Sequence, residues 1–314
     1  MWTKEELLKW QNDEEFQLEQ IRQNGLSIQY INNPTEKICL KAVREDGYSV
    51  KFIHNPTEKI YLEAVKQNTH SIQYIHNPTE EMCLEAVRKN GYSIQYIHNP
   101  SEKVCLEAIK ENDHSFQYIR NPTEKMCLKV VRKNGYNIQY IHNPSEKVCL
   151  EAIKENDHSF QYINNLTEKV CLDAVKQNGR NIQYIYNPTE KICLEAVKEH
   201  GFSIKYINNP TEKVCLEAVK QDGTNIQYIN NPTEEMCLEA VRKNGYSIQY
   251  IHNPSEKVCL EAIRQDGHSI KYIHNPSKEM CLEALNFINY DDIIRYIDIE
   301  KYPELYEKYY FMNT

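Results

Sequence analysis

Hydrophobic and polar residues follow a pattern along the chain that repeats every 22 residues. One slot in each period holds proline, at positions 34, 56, 78, 100, 122, 144, 188, 210, 232, 254 and 276, and Leu166 fills the remaining slot. A more divergent period begins at Asn12, so 13 units extend from residue 12 to about residue 298. A period in this length range is the signature of a solenoid or a related array.

The first half of each unit predicts an amphipathic α-helix of about 12 residues. In the unit that begins at Asn77, Asn77 suits the N-cap, Pro78 the first turn and Glu80 a capping box. Gly91 suits the left-handed position that follows a helix. Apolar residues at helical spacing form one broad face: Met82, Cys83, Leu84, Ala86 and Val87.

The second half of each unit, GYSIQYIHN in the same example, allows two interpretations. Its third residue is Ser or Asn, as at Ser49 and Asn137, and these are N-cap residues that predict a short helix or 3₁₀ turn. The alternation of Tyr92, Ile94 and Tyr96 instead suits a β-strand and a horseshoe like that of leucine-rich repeats. The recurring cap residues, and the absence of an L-x-x-L-x-L pattern, favour the helix.

The pattern therefore predicts an all-α protein, a superhelical α-solenoid of about 13 tandem 22-residue helix-turn-short-helix repeats. One unit is too short to bury its own apolar stripe, so neighbouring units must stack to form the core. Residues 1–11 and 299–314 break the period. We expect an N-terminal cap at 1–11, tandem repeats at 12–298 and a C-terminal capping helix at 299–314.

The segment Ala174-Val175-Lys176-Gln177-Asn178-Gly179, followed by Asn181-Ile182-Gln183-Tyr184, carries a family resemblance. It resembles an uncharacterised repeat family, a domain of unknown function that recurs in bacterial, bacteriophage and giant-virus proteins. The NPTEK opening of the units is tighter than that family's usual linker. The resemblance extends over nearly the whole chain and implies tandem short helices. It implies no activity, cofactor or catalytic residue.

Composition and charge exclude some classes of function. The chain has 314 residues, 40% of them hydrophobic and 26% charged, which predicts a folded protein. Its net charge of −8 lacks the basic footprint of a sequence-independent nucleic-acid binder. No apolar run approaches the roughly 18 residues of a membrane span. The start, MWTKEELLKW, does not resemble a signal peptide, so we expect a cytoplasmic protein, in the host cytoplasm if the protein is viral.

Cysteine recurs once per repeat from Cys39 to Cys281, with Tyr61 as the one exception. Adjacent cysteines lie one helix layer apart, roughly 10 Å, whereas a disulfide needs Cα atoms within about 7 Å. No C-x-x-C pair with zinc spacing occurs. We therefore predict small buried hydrophobes, and neither a metal nor another cofactor.

We call the set of residues at one position of the repeat a column. Two columns vary from unit to unit, whereas the core positions do not. The post-glycine column holds Tyr48, His70, Tyr92, His114, Tyr136, His158 and Arg180, and the loop column holds His54, His76, His98, Arg120 and His142. Variable positions on a regular frame are where repeat proteins bind partners, and such side chains are favoured interface anchors. The alternative is that they are uncontacted loop-edge residues, which tolerate change. A metal-ligand ladder is disfavoured because no carboxylate recurs beside the histidines.

A third column holds Tyr or Phe in every repeat, from Tyr30 and Phe52 to Tyr272. This tyrosine column would suit base stacking with one nucleotide per repeat. The alternative is a packed aromatic spine with its hydroxyls at the surface. Near-identity of the column favours packing, because residues that recognise a sequence should vary.

Catalytic motifs are absent from the sequence, and every possible acid, base or nucleophile in the array occurs in many copies. We expect a non-enzymatic repeat scaffold that binds another macromolecule, a protein above all. The resemblance adds the possibility of a viral or phage protein that acts on a host factor. The alternatives are nucleic-acid or nucleotide binding along the Tyr, His and Arg columns, and a structural spacer or oligomer-forming rod.

Overall fold

One pair of helices is repeated throughout the chain. A computed structural model describes residues 4–288, 290–296 and 301–305. The chain divides into two compact units, Met1–Tyr162 and Ile163–Thr314. In both, an α-helix of ten residues is followed after one residue by a 3₁₀ helix of six, and the described residues contain no strand.

The first unit begins with α1, Lys4–Asn12, and continues with seven helix pairs. Its further α-helices are α2 Glu14–Gln23, α3 Glu36–Glu45, α4 Glu58–Gln67, α5 Glu80–Lys89, α6 Glu102–Glu111, α7 Glu124–Lys133 and α8 Glu146–Glu155. Its 3₁₀ helices are η1 Gly25–Tyr30, η2 Gly47–Phe52, η3 Thr69–Tyr74, η4 Gly91–Tyr96, η5 Asp113–Tyr118, η6 Gly135–Tyr140 and η7 Asp157–Tyr162.

The second unit contains five complete pairs, then α14 Lys278–Ala284 and α15 Tyr290–Ile293. Its other α-helices are α9 Glu168–Gln177, α10 Glu190–Glu199, α11 Glu212–Gln221, α12 Glu234–Lys243 and α13 Glu256–Gln265. Its 3₁₀ helices are η8 Gly179–Tyr184, η9 Gly201–Tyr206, η10 Gly223–Tyr228, η11 Gly245–Tyr250 and η12 Gly267–Tyr272.

This pattern confirms the predicted all-α class, with about 13 tandem repeats of helix and short helix that fit an α-solenoid. The strand interpretation of the second half-repeat is wrong. Residues 1–3 of the expected N-terminal cap lie outside the described residues, and of the expected helix at 299–314 only residues 301–305 are described. At the N-terminal end, α1 packs the buried Trp10 edge-on against Phe16 and Tyr30, with ring centres 5.4 and 5.6 Å apart.

The caps of both helices differ from those predicted. Thr79, not Asn77, is the N-cap of α5, and its Oγ1 accepts a hydrogen bond from the Met82 N–H at 3.3 Å. Glu80 is consequently the first helical residue and not a capping-box partner. The helix has ten residues because Asn77 and Pro78 remain in the loop before it.

A single residue joins the two helices of each pair. Asn90 ends α5 by donating its N–H to the Ala86 carbonyl, and its Oδ1 accepts from the Tyr92 N–H at 3.1 Å. It therefore caps η4 as well. The prediction that the third residue of the segment is the N-cap is wrong, because Ser93 is fully buried inside η4.

Glycine follows this joint because the next repeat packs very closely against it. None of the described glycines has a positive φ, so the predicted left-handed C-cap is wrong. A Cβ built on Gly91 would lie 2.7 Å from the carbonyl oxygen of Ala108, in the α-helix of the following repeat. Such a distance is shorter than real Cβ contacts allow, so lack of a side chain, and not backbone freedom, selects glycine.

The core is one set of columns repeated from pair to pair. In a representative repeat Ala86 and Val87 of α5 are completely buried, and Ile94 of η4 is 1% exposed. Successive helices within each unit contact one another. The predicted role of cysteine is confirmed, because all 11 thiols are free and buried. Burial raises the pKa of the Cys83, Cys105 and Cys149 thiols to about 11.

Replacement of Gly91 by Ala should lower the free energy of unfolding by about 1–3 kcal/mol, because the methyl group overpacks the contact with Ala108. Chemical denaturation followed by circular dichroism measures the loss. Thr69→Ala is the matched control, since this repeat already carries a side chain in the glycine column. An equal effect of both substitutions would contradict the close-approach explanation.

The native thiols should not react with a water-soluble disulfide reagent near pH 8, and all 11 should react after unfolding. Stability should also fall as the pH rises above about 9. The unfolded thiols then lose protons that native thiols such as Cys83 retain up to their pKa of about 11. Reagent titration and denaturation at several pH values test both points, and rapid labelling of the native chain would refute the assigned burial.

Candidate interaction surface

The post-glycine column packs against the tyrosine column of the next repeat. Tyr48 lies edge-to-face on Tyr74 with ring centres 6.1 Å apart, and the imidazole of His70 lies 5.6 Å from the ring of Tyr96. The same contact joins Tyr92 to Tyr118, Tyr136 to Tyr162, Phe202 to Tyr228 and Tyr246 to Tyr272. Rings in such contacts contribute packing energy between repeats, so this column has a structural role whatever else it binds.

Members of the post-glycine column differ in exposure. His114, His158 and Arg180 are exposed, whereas Tyr48, His70, Tyr92 and Tyr136 are half-buried. The guanidinium of Arg180 lies 5.7 Å from the ring centre of Phe202 and 3.1 Å from Nε2 of His200. The tyrosine column beside them stays about 40% exposed at Tyr74, Tyr118 and several other positions.

The loop column lies on the turns between each 3₁₀ helix and the next α-helix. His54, His76, His98, Arg120 and His142 are all exposed, and each is followed by Asn and Pro. At nine of these turns, which do not include those of Asn77 and Asn121, the Asn is in the left-handed region with φ between 49° and 53°: Asn33, Asn55, Asn99, Asn143, Asn187, Asn209, Asn231, Asn253 and Asn275. Asn tolerates this conformation better than other residues with a side chain, and it turns the chain sharply into the helix.

Neighbouring loops enclose open grooves of similar lining, which we call the Asn-Pro grooves. One groove, of about 380 Å³, is lined by His98 and Arg120 together with Asn99, Tyr118 and Glu102. The next shares Arg120 and adds His142, with a volume of about 470 Å³. Equivalent grooves in the second unit are lined by Tyr186 with Asn208 and by Asn230 with His252. Two consecutive loop-column residues therefore line each groove.

The glutamates at the groove edges form ion pairs or hydrogen bonds with the next repeat. Lys125 Nζ lies 3.1 Å from Oε1 of Glu102. The Ser145 hydroxyl donates to Glu124 at 2.6 Å, as Ser101 does to Glu80 at 2.7 Å. These carboxylates therefore connect adjacent helix N-termini within the first unit.

The loops themselves retain unused hydrogen-bonding groups. Within the described ranges, the side chains of His98, Arg120 and His142 make no hydrogen bond or ion pair, and neither do the amides of Asn99 and Asn143. Sequence reasoning missed these asparagines because it assigned the residue before proline to the helix cap. The Ser or Thr that follows proline is the competing cap, and its position was the available signal.

The repeated helix pair and its recurring grooves define a helical repeat protein with an α-solenoid pattern. One protein family has a model that matches four stretches of the chain, residues 57–101, 79–122, 211–255 and 233–276; it is described as Domain of unknown function (DUF4116). The matched stretches are two overlapping pairs, one in each compact unit. They support the resemblance to a repeat family of unknown function there. No curated protein matches the chain.

Two further features are absent from the described residues. No group of three or more His, Cys, Asp or Glu side chains there has the arrangement to hold a metal ion. No described helix combines the length and the apolar character that crossing a bilayer requires.

Replacement of Asn99 by Ala should reduce the free energy of unfolding by about 1 kcal/mol, because Ala tolerates the left-handed conformation poorly. Asn99→Gly should be close to neutral. Exposed His98 in the same loop provides the control His98→Ala. Thermal and chemical denaturation of the three variants measures the effect, and an equal loss for Ala and Gly would show that the amide itself is stabilising.

Proposed function

We propose that this protein is a non-enzymatic scaffold that binds another protein along its Asn-Pro grooves. The observation that supports it best is the recurrence of one groove, with the same lining positions, between successive repeats of each unit. The frame positions are nearly constant, while the loop-column residue changes from Arg120 to His142, or from Tyr186 to Asn208. A constant frame with variable, exposed side chains suits recognition of a partner.

The grooves suit an extended segment of polypeptide. An Asn side-chain amide offers both donors and an acceptor, as a peptide main chain does. The half-exposed tyrosines add apolar area and a hydroxyl, a combination favoured at protein interfaces. Repetition also lets many weak contacts add along one bound chain.

A non-catalytic role agrees with how the chemistry is distributed. Buried thiols with raised pKa values are poor nucleophiles. The exposed histidines recur in equivalent loops rather than in one asymmetric cluster. We further propose that the protein acts in the cytoplasm. The suggestion that it is a viral or phage protein that acts on a host factor rests on the sequence resemblance alone.

Nucleic-acid binding is the second candidate, and the half-exposed tyrosine column favours it. The net charge of −8 counts against it. A structural spacer would need no groove at all. Both alternatives are outcomes of the following test.

Filling the grooves should abolish binding without unfolding the chain. We expect Trp at four exposed loop positions, His98 and His142 in the first unit and Asn208 and Asn230 in the second, to remove partners that the wild-type chain retains from nuclease-treated extract. Trp at Lys66, Lys154, Lys198 and Lys220, which are exposed positions on the α-helices, is the matched control. Quantitative mass spectrometry of the retained proteins measures the difference.

Equal retention by the groove-filled and control variants would contradict the proposal. Partners lost on nuclease treatment would favour nucleic acid, and retention of no protein by any variant would favour the spacer.

A further inference from the structure

The first unit contains a row of positively charged or protonatable side chains that the second unit does not share in full. We call His54, His76, His98, Arg120 and His142 the cation row; they occupy the loop column of five successive repeats, and all are exposed. The equivalent positions in the second unit include Tyr186, Asn208 and Asn230. The Asn-Pro grooves beside both sets are otherwise similarly lined.

From this row we infer that the grooves of the first unit bind an extended acidic polypeptide. The inference rests on the proposed scaffold function and adds the chemistry of the partner. The guanidinium of Arg120 lines two consecutive grooves and forms no ion pair among the described residues. A guanidinium without a carboxylate partner at the edge of a groove is complementary to a carboxylate of the bound chain.

Other charged groups at these grooves do not cancel the row. Around Arg120 they are Glu102, which pairs with Lys125, and Glu124, which accepts from Ser145. The remaining titratable groups are Tyr118, Tyr140, Cys105, Cys127, His98 and His142. Burial raises the pKa of both thiols, so they stay neutral near pH 7. Both glutamates lie at helix N-termini, where the helix dipole also offsets their charge.

The spacing of the row suits an extended polypeptide. Packed helix layers lie about 9–10 Å apart. A chain in the polyproline II conformation completes a turn in three residues with a rise of about 3.1 Å each, so one side returns every 9 Å or so. An acidic residue at every third position would therefore meet one member of the cation row in each repeat.

The charge density of the ligand and the side-chain amides of the groove asparagines favour a polypeptide over a nucleic acid. The net charge of −8 repels both ligands, but it repels a nucleic acid, with a charge on every nucleotide, more strongly than the inferred peptide, with one charge per three residues. The unpaired amides of Asn99 and Asn143 match the donors and acceptors of a peptide main chain.

Fluorescence anisotropy with the full chain tests the inference. The probe is a labelled peptide of about 15 residues, repeating Glu-Pro-Ser, and the comparison probes are its Gln-Pro-Ser analogue and an oligouridylate of similar length. The row-neutral variant combines His98→Asn, Arg120→Asn and His142→Asn. It should fold, because Asn208 and Asn230 already occupy this loop position elsewhere in the chain.

The acidic peptide should bind the wild-type chain, and more tightly than its Gln-Pro-Ser analogue. The row-neutral variant should lose about tenfold in affinity. Transfer of the row to the second unit of that variant should restore binding; the substitutions are Tyr186→His, Asn208→Arg and Asn230→His.

Three results would overturn the acidic partner: equal binding of the Gln peptide, an undiminished affinity of the row-neutral variant, or tighter Arg120-dependent binding of oligouridylate. Both peptides could instead bind equally and lose that binding when His98 and His142 are changed to Trp to fill the grooves. That result would overturn the acidic preference and leave the scaffold function intact. Peptide binding unaffected by groove filling would count against both.

Discussion

The close approach of each 3₁₀ helix to the α-helix of the next repeat is the constraint on which the rest of the structure depends. At Gly47 a Cβ would lie 2.6 Å from the Ala64 carbonyl oxygen and 2.9 Å from the Ser71 hydroxyl. Small residues are therefore required on both sides of the junction. The hydroxyls of Ser71 and Ser93 are buried without a hydrogen bond to any described residue, which indicates that their small volume is what the junction needs.

Asp113 shows how the chain adapts where the glycine is missing. Its carboxylate accepts a hydrogen bond at 2.7 Å from Nδ2 of Asn137, which stands where most repeats have Ser. Burial of Asp113 disfavours its charged form, but this bond, with a backbone hydrogen bond and nearby cations, lowers its pKa below the usual range. A larger polar pair thus replaces the Gly-Ser contact, and the sequence repeats the combination at Asp157 and Asn181.

Separation of the junction from the loops explains where the sequence is free to change. The joint residue, the glycine, the buried Ser or Asn and the core aliphatics all contribute to the contact between repeats. The loop column contributes nothing to it, as the exposed and unpaired Arg120 illustrates. Duplication of one repeat therefore preserves the frame automatically, while substitutions in the loops change the chemistry of the grooves at little cost in stability.

Periodicity alone determined the number of repeats, the helical face of Met82 to Val87 and the burial of the cysteines. All three depend only on the spacing of residues along the chain. The 3₁₀ conformation of GYSIQY was favoured by composition but not fixed by it.

The roles of Asn77, Gly91 and Ser93 were decided by tertiary structure, since each residue fits a local motif that its neighbours override. Thr79 takes the cap, the approach of Ala108 requires the glycine, and the core encloses the serine. The grooves likewise exist only between repeats, so no single segment of sequence could show that His98 and Arg120 line one of them.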